Sequence, residues 1–455
     1  MKKFIIALAA MLIISAGSVL AEDNGTVLLN DALANNTVQI NNEEGKLTKA
    51  EDGSYILENS EDAVISFGEM DGIIEADMSF SIGDESSEWI GFDLMSQDPA
   101  KRCWATTCYV AIVKANGVEI QAFNPENKSG FLASFAYDLP QNEKINVKTG
   151  VIPTDKGNYV FIKLGDTLFG AYDHDNGVTE KGYFCIEGKL NGVTLYETES
   201  IEEEIPAVEV SYDSKTNNMI ADVKNADENG TEINWYLSTD EFVYDDTSKF
   251  TDLAAFELIE DYNEPQLLLQ GNEVGKYALC IAKIKGINVY SNVEYADPVE
   301  YCLSNGFVGC VGFTKAVANG KEIDYDATDM VYPDVYDDVV FMPFRGVMEG
   351  FGWPVTWDSE TRVAACYPPN GTAPASFCVD KIGFINFMNL MSASMVKAPM
   401  LIENRTFLDV YSTSYILDYD NIIVDEDNGV IVMTPIDIEL DENQIYALYD
   451  YISGM

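Results

Sequence analysis

The sequence predicts a multidomain, mainly β protein: an N-terminal β-jelly roll, a central β-sandwich and a C-terminal α+β domain of two ββαββ-type repeats. Three observations predict it. Short alternating apolar runs punctuated by turn residues fill residues 22–200, a pattern of many short strands. A run of like charges, Glu197-Thr198-Glu199-Ser200-Ile201-Glu202-Glu203-Glu204, then interrupts the chain before Pro206. The last third repeats itself after about 66 residues, and such self-similarity is first a statement about architecture.

The elements follow in order. Lys2 and Lys3 precede an apolar run from Phe4 to Ile14, and Val19-Leu20-Ala21 supplies small residues at a cleavage position. Residues 1–21 therefore read as a secretory signal peptide. The jelly-roll region, 22–200, carries runs such as Ile73-Ile74-Glu75-Ala76-Asp77-Met78-Ser79-Phe80 and Tyr159-Val160-Phe161-Ile162-Lys163-Leu164, with Asn116-Gly117 and Asn191-Gly192 as turns. The acidic run that follows stays extended and solvated by self-repulsion, as a linker does. Residues 201–302 hold that linker and a second β domain. Here Trp235 falls within Ile233-Asn234-Trp235-Tyr236-Leu237-Ser238, and Gly275-Lys276-Tyr277-Ala278-Leu279-Cys280 follows. This segment resembles an immunoglobulin-like sandwich, in which such a Trp is core. It lacks a cysteine on Met219-Ile220-Ala221-Asp222-Val223 to meet Cys280.

Residues 303–455 carry the repeat. Val317-Ala318-Asn319-Gly320-Lys321-Glu322-Ile323 reads as a hairpin with an Asn-Gly turn. Each copy then feeds a strand into a helix, with apolar positions Phe344, Val347, Met348 and Phe351 in the first and Val410, Tyr415 and Ile416 in the second. A strand–turn–strand closes each copy, and Asp358 and Asp425 open the turns, where a carboxylate accepts backbone N–H bonds. The terminal stretch reads as an amphipathic helix with Ile445, Leu448 and Tyr449 inward.

These residues carry a family resemblance. Asn319-Gly320-Lys321, Pro343-Phe344-Arg345 and Trp357-Asp358-Ser359-Glu360-Thr361-Arg362 resemble the stalk domain named from the N-terminus of copper amine oxidases. The second copy departs: Asp409-Val410-Tyr411 replaces the Pro-x-Arg start of the helix, while Asn404-Arg405-Thr406 survives. The resemblance implies a small α+β unit found in surface proteins of Gram-positive bacteria. Upstream, Val160 to Asp166, Lys181 to Ile186 and Gly192 to Tyr196 resemble the last strands of concanavalin-like jelly rolls, which implies an extracellular glycan-related role.

Composition and chemistry narrow the function. The net charge is −49, and cleavage of the signal would remove two further lysines. Such a chain is repelled by nucleic acid and by anionic lipid, so neither is an expected partner. The eight cysteines of an exported chain allow bridges. Cys103 with Cys108, Cys302 with Cys310 and Cys366 with Cys378 are the candidate pairs, and buried free thiols are the competing reading. Cys185 and Cys280 are left over. No Cys-x-x-Cys occurs and His174 is the only histidine, so the sequence assigns no metal ligands, no cofactor and no catalytic residues. One imidazole cannot build the copper site of an amine oxidase. A glycoside hydrolase is the serious enzymatic alternative, because Glu75 and Asp77 share one strand face. No further Glu follows at the expected spacing, where Phe80 stands. Sugar recognition needs aromatic faces beside amides and carboxylates. Trp104, in the polar loop between Cys103 and Cys108, is the foremost candidate. Asn124, Asp173 and His174 complete the predicted ligand-binding set.

The expectation is a secreted, non-catalytic extracellular or cell-surface protein. The jelly roll would bind a glycan, and the stalk domain would contact a cell-envelope component or another surface protein. The alternatives are a hydrolase acting on an extracellular polysaccharide and a purely structural adhesion protein.

Overall fold

The computed structural model describes residues 32–33, 37–41, 45–59, 63–70, 73–83, 88–125, 130–174, 181–195, 204–226, 230–239, 253–325, 331–369, 374–387 and 392–455. The signal peptide 1–21, the linker residues 197–203 and Asp175 lie outside them. The chain divides into two compact units, 1–165 with 171–204, and 166–170 with 205–455. Among the described residues no helix is long and apolar enough to cross a membrane.

The first unit is a pair of antiparallel sheets joined by one strand. Gly182–Leu195 is 14 residues long. Its first half pairs with Val64–Met70 on one side and Trp89–Ser96 on the other. Its second half pairs with Tyr55–Asn59 and Ile73–Phe80 in the other sheet. The register shifts between Leu190 and Val193. Asn191-Gly192, predicted as a turn, is therefore an irregularity inside a strand as it passes from sheet to sheet, the usual role of a bulge. The first sheet continues through Cys108–Lys114, Gly117–Phe123 and Gly130–Ala136, and the turn expected at Asn116-Gly117 falls one position earlier, at Ala115-Asn116, with Gly117 paired to Lys114. The second continues from Ile73–Phe80 to Ile145–Thr154 and Gly157–Leu164. Phe67, Phe92 and Phe184 form an aromatic row in the core, with centroids 5.9 and 6.4 Å apart.

In the second unit, Ala207–Asp213, Asn218–Lys224 and Gln266–Leu268 form one sheet. Glu257–Leu258, Glu232–Ser238, Tyr277–Ile284 and Ile287–Tyr295 form another. Trp235 is fully buried, and its indole N–H donates to the Glu264 carbonyl at 2.9 Å. Cys280 lies directly across from it.

The repeat forms a reciprocal pair. The equivalent strands Val339–Pro343 and Arg405–Asp409 run antiparallel side by side, with Met342 opposite Leu408. These two residues are counterparts in the two copies, so the copies are related by a local two-fold at that pair. The helices Phe344–Gly350 and Val410–Leu417 leave the two strands in turn. The meander of each copy pairs with the closing hairpin of the other. Lys321–Asp324, Lys315–Ala318 and Phe307–Cys310 join the second copy's Val430–Thr434 and Asn421–Val424. Ser392–Ser394, Phe384–Phe387 and Ala375–Cys378 join the first copy's Val363–Cys366 and Val355–Asp358. Phe344, Val347, Met348, Phe407, Leu408 and Ile416 fill one shared core.

Local chemistry explains both helix starts. Pro343 opens the first without a side-chain cap. In the second, Asp409 is buried and accepts from the Ser412 N–H at 2.9 Å and the Ser412 hydroxyl at 2.6 Å. The departure from the family phrase thus supplies an N-cap. Tyr415, predicted to face inward, is 47% exposed; Ser412, Thr413 and Ser414 are buried in that helix instead. Asp358 and Asp425 accept turn N–H bonds, from Glu360 at 2.9 Å and Asn428 at 2.7 Å. Asn319 and Gly320 both adopt positive φ, as a two-residue hairpin turn requires. Removing the cap by Asp409→Ala is expected to destabilise this unit by about 1–2 kcal/mol, read as a lowered denaturant midpoint at unchanged slope.

Candidate functional site

The sheet of the first unit that contains Trp89–Ser96 has two buried faces. On one lie Ile90, Phe92 and Leu94. On the other, Asp93 stands across from Cys185, and Gly91 across from Glu187. Cys108 continues that second face on the neighbouring hairpin, opposite Phe123. The one-turn helix Cys103–Ala105 covers this face, and Cys103, Cys108, Val110 and Ile112 form a small second core with Trp89 and Phe123.

Charged groups are enclosed under that cover. Glu187 and Asp93 have no exposed surface. The Arg102 Nε lies 2.9 Å from Glu187 Oε2, and the Cys103 N–H donates to the same carboxylate at 3.3 Å. Burial pushes the Asp93 carboxyl well above the usual range, with the Glu187 charge adding to it and Arg102 opposing. Burial also raises Glu187, against the pull of Arg102. The Cys103, Cys108 and Cys185 thiols are all raised by burial first and by Asp93 second.

Arg102 connects this interior to the surface. Its guanidinium carbon sits 4.0 Å from the Trp104 ring centroid and 5.3 Å from that of Trp89. Trp104 is 52% exposed. One ring is thus backed by a buried cation, a favourable cation–π arrangement. Gly188 adopts φ +108, and a Cβ there would approach the Trp89 carbonyl to 2.2 Å, so only glycine lets the strand pass beneath Trp89.

The other predicted residues separate. Asn124 is half-buried and follows Phe123, at the end of the sheet nearest Cys108. Asp173 is buried and accepts from the Tyr109 hydroxyl at 2.6 Å, while Asn158 donates to that hydroxyl at 3.0 Å. It belongs to an interior network. His174 is exposed, with Nδ1 2.8 Å from the Lys156 carbonyl and its ring stacked on Tyr172. Glu75 and Asp77 share one face, as period two requires. Lys148 lies 3.4 Å from Glu75, Lys144 lies 2.9 Å from Asp77, and Asn146 donates to both carboxylates.

All eight cysteines are thiols, so the candidate bridges Cys103–Cys108, Cys302–Cys310 and Cys366–Cys378 are not formed. The hairpin register shows why for the last pair: Cys366 faces Ala375 while Cys378 faces Val363. That offset of three positions, about 10 Å along a strand, exceeds the reach of a disulfide. Cys103 and Cys108 line the same small second core, where the Cys108 thiol donates to the Cys103 carbonyl at 3.6 Å.

A second concavity lies in the C-terminal repeat. A groove of about 490 Å³ is lined by Arg345, Glu349 and Trp357 of the first copy and by Asn404, Arg405 and Thr406 of the second, with Asp324 and Tyr325. The residues that distinguish the repeat in sequence therefore meet in space. Residues 317–433 match the family model Copper amine oxidase N-terminal domain. The amine oxidase N-terminal domain match spans both copies and every residue of this groove. A comparison with curated proteins finds no match.

Solved structures similar to this chain include a carbohydrate binding module, CBM66 from Bacillus subtilis, with 20% identity and a TM-score of 0.27 over 36% of this chain and 95% of that one. A double-cysteine variant of the alginate lyase A1-II' has 12% identity and a TM-score of 0.25, covering 34% and 83%. The Emp47p carbohydrate recognition domain has 13% identity and a TM-score of 0.25, covering 35% and 79%.

Arg102, Glu187 and Asp93 escaped the sequence reading. The local signal is a carboxylate set in an apolar run, at Ile90-Gly91-Phe92-Asp93-Leu94 and at Phe184-Cys185-Ile186-Glu187. The Asp173 network gives a direct check: Tyr109→Phe removes the donor to a buried carboxylate. It is expected to cost about 1–3 kcal/mol in chemical denaturation, without altering any ligand binding at Trp104.

Proposed function

We propose that this protein is a secreted, non-catalytic glycan-binding protein of the cell surface, and that its first unit receives a sugar on the free face of Trp104. The observation that carries this reading is the Arg102 guanidinium 4.0 Å beneath a half-exposed indole. Arg102 is itself anchored by Glu187, so the ring is ordered before ligand arrives and little side-chain entropy remains to be lost. A flat, rigid aromatic face suits the apolar face of a pyranose or furanose ring. Asn124 at the same end of the sheet offers an amide for hydroxyl groups.

The non-catalytic part of the proposal rests on Glu75 and Asp77. Each has a lysine partner, and both share one amide donor. Carboxylates held in this way serve as ion-pair partners across two strands rather than as a free acid and a free base. For the second unit we propose contact with an envelope component or a partner protein through the groove that carries Arg345, Trp357 and Arg405. Two guanidinium groups beside an indole suit an acidic or hydroxyl-rich chain.

Glycan-array screening of the full chain, followed by calorimetry on the best hit, tests the first claim. Trp104→Ala is expected to weaken binding about tenfold or more, or ~1.4 kcal/mol. Binding that Trp104→Ala leaves unchanged would remove the site. Reducing-end assays on the same glycans are expected to show no release from the wild type. Release that Glu75→Gln abolishes would make the protein a hydrolase.

A further inference from the structure

Among the described residues, Asp93 is a buried carboxylate that the site described above leaves unexplained. It is fully buried, and neither of its carboxylate oxygens has a hydrogen-bond partner. An interior carboxylate without a hydrogen-bond donor is costly, and the Arg102 charge that opposes its shift is the one that Glu187 also holds. It points into a pocket shared with Cys103 and Glu187, and one ligand atom from each of the three lies within 4.8 Å of the other two. The three come from different elements: the strand Trp89–Ser96, the one-turn helix Cys103–Ala105 and the strand Gly182–Leu195.

We propose that Asp93, Cys103 and Glu187 form a buried site for a divalent transition-metal cation of the zinc class. Charge supports it. Ionised, the three donors carry three negative charges against the single positive charge of Arg102, and a dication brings the pocket to neutrality. Ligand type sets the class. A thiolate beside two carboxylates suits zinc or cobalt, whereas calcium and magnesium take oxygen donors alone. The thiols of Cys108 and Cys185 feel the same two carboxylates and are the nearest further sulfur donors. The metal would fasten the cover helix to the sheet through Cys103 and so hold that residue's chain neighbours, Arg102 and Trp104. Metal binding can be read apart from sugar binding, because the three ligands are all buried and Trp104 is not among them.

The test uses the full chain, stripped with chelator under reducing conditions and titrated with cobalt(II). One equivalent is expected to produce a thiolate-to-cobalt charge-transfer band in the near ultraviolet, which zinc displaces. Zinc is expected to raise the thermal midpoint, and calcium is not. Cys103→Ser should abolish the band, and Asp93→Asn should weaken cobalt binding at least tenfold. Far-ultraviolet circular dichroism verifies that each variant is folded, and the isosteric Asp93→Asn suffices if Cys103→Ser is not. Trp104→Ala should bind cobalt as the wild type does, which separates this result from the fate of the glycan reading. No band, a band that survives both substitutions, or equal stabilisation by calcium would overturn the proposal. So would a stripped Asp93→Asn protein that is more stable than a wild type taking up no metal, which would make Asp93 and Glu187 a proton-sharing pair instead.

Discussion

A carboxylate that cannot reach water must be answered from within the protein, and Glu187 sets that constraint for the first unit. It sits on the one strand that both sheets share, so its position is fixed by the sandwich as a whole. Arg102 answers it at 2.9 Å, and the Cys103 N–H adds a second contact. An arginine committed to that carboxylate presents its flat face outward, where Trp104 and Trp89 pack against it. The surface aromatic is thus ordered by a charge buried beneath it. Removing one partner of such a pair is costly because the other stays behind uncompensated.

The second unit obeys a different rule. Its repeat does not stack as two independent modules. The counterpart strands meet at Met342 and Leu408, and each copy finishes the other's five-stranded sheet. Neither copy's meander has its own hairpin beside it, so the signature residues of both converge on one groove. Erosion of the second copy is tolerated where the replacement serves the same physical end, as Asp409 does by capping its helix.

Much of this was legible in the chain. Alternation located Ile73–Phe80 and placed Glu75 and Asp77 on one face, and the Asn-Gly pairs located two hairpins. The spacing of Phe344, Val347 and Met348 gave the buried side of a helix. What was illegible has a common cause. The sheet beneath Trp104 is buried on both faces, so Asp93 and Glu187 fall in runs with no polar–apolar alternation to reveal which way each residue points. Cys185 stood alone in sequence, yet strand pairing sets it across from Asp93. The exchange of meanders was hidden because a repeat reports likeness, and not which copy pairs with which. Proximity in sequence misled at Cys366 and Cys378, where hairpin register keeps near neighbours apart.

The central claim is that Arg102 holds Trp104 as a rigid platform. Fluorine NMR of the protein made with 5-fluorotryptophan tests it most directly, with the Trp104 signal assigned by Trp104→Phe. The account predicts a Trp104 resonance displaced from the position of free fluorotryptophan by the stacked guanidinium. It should move back towards that position in Arg102→Lys, because an ammonium cannot stack as a plane. A Trp104 signal at the free position in the wild type, or one that Arg102→Lys leaves in place, would contradict it.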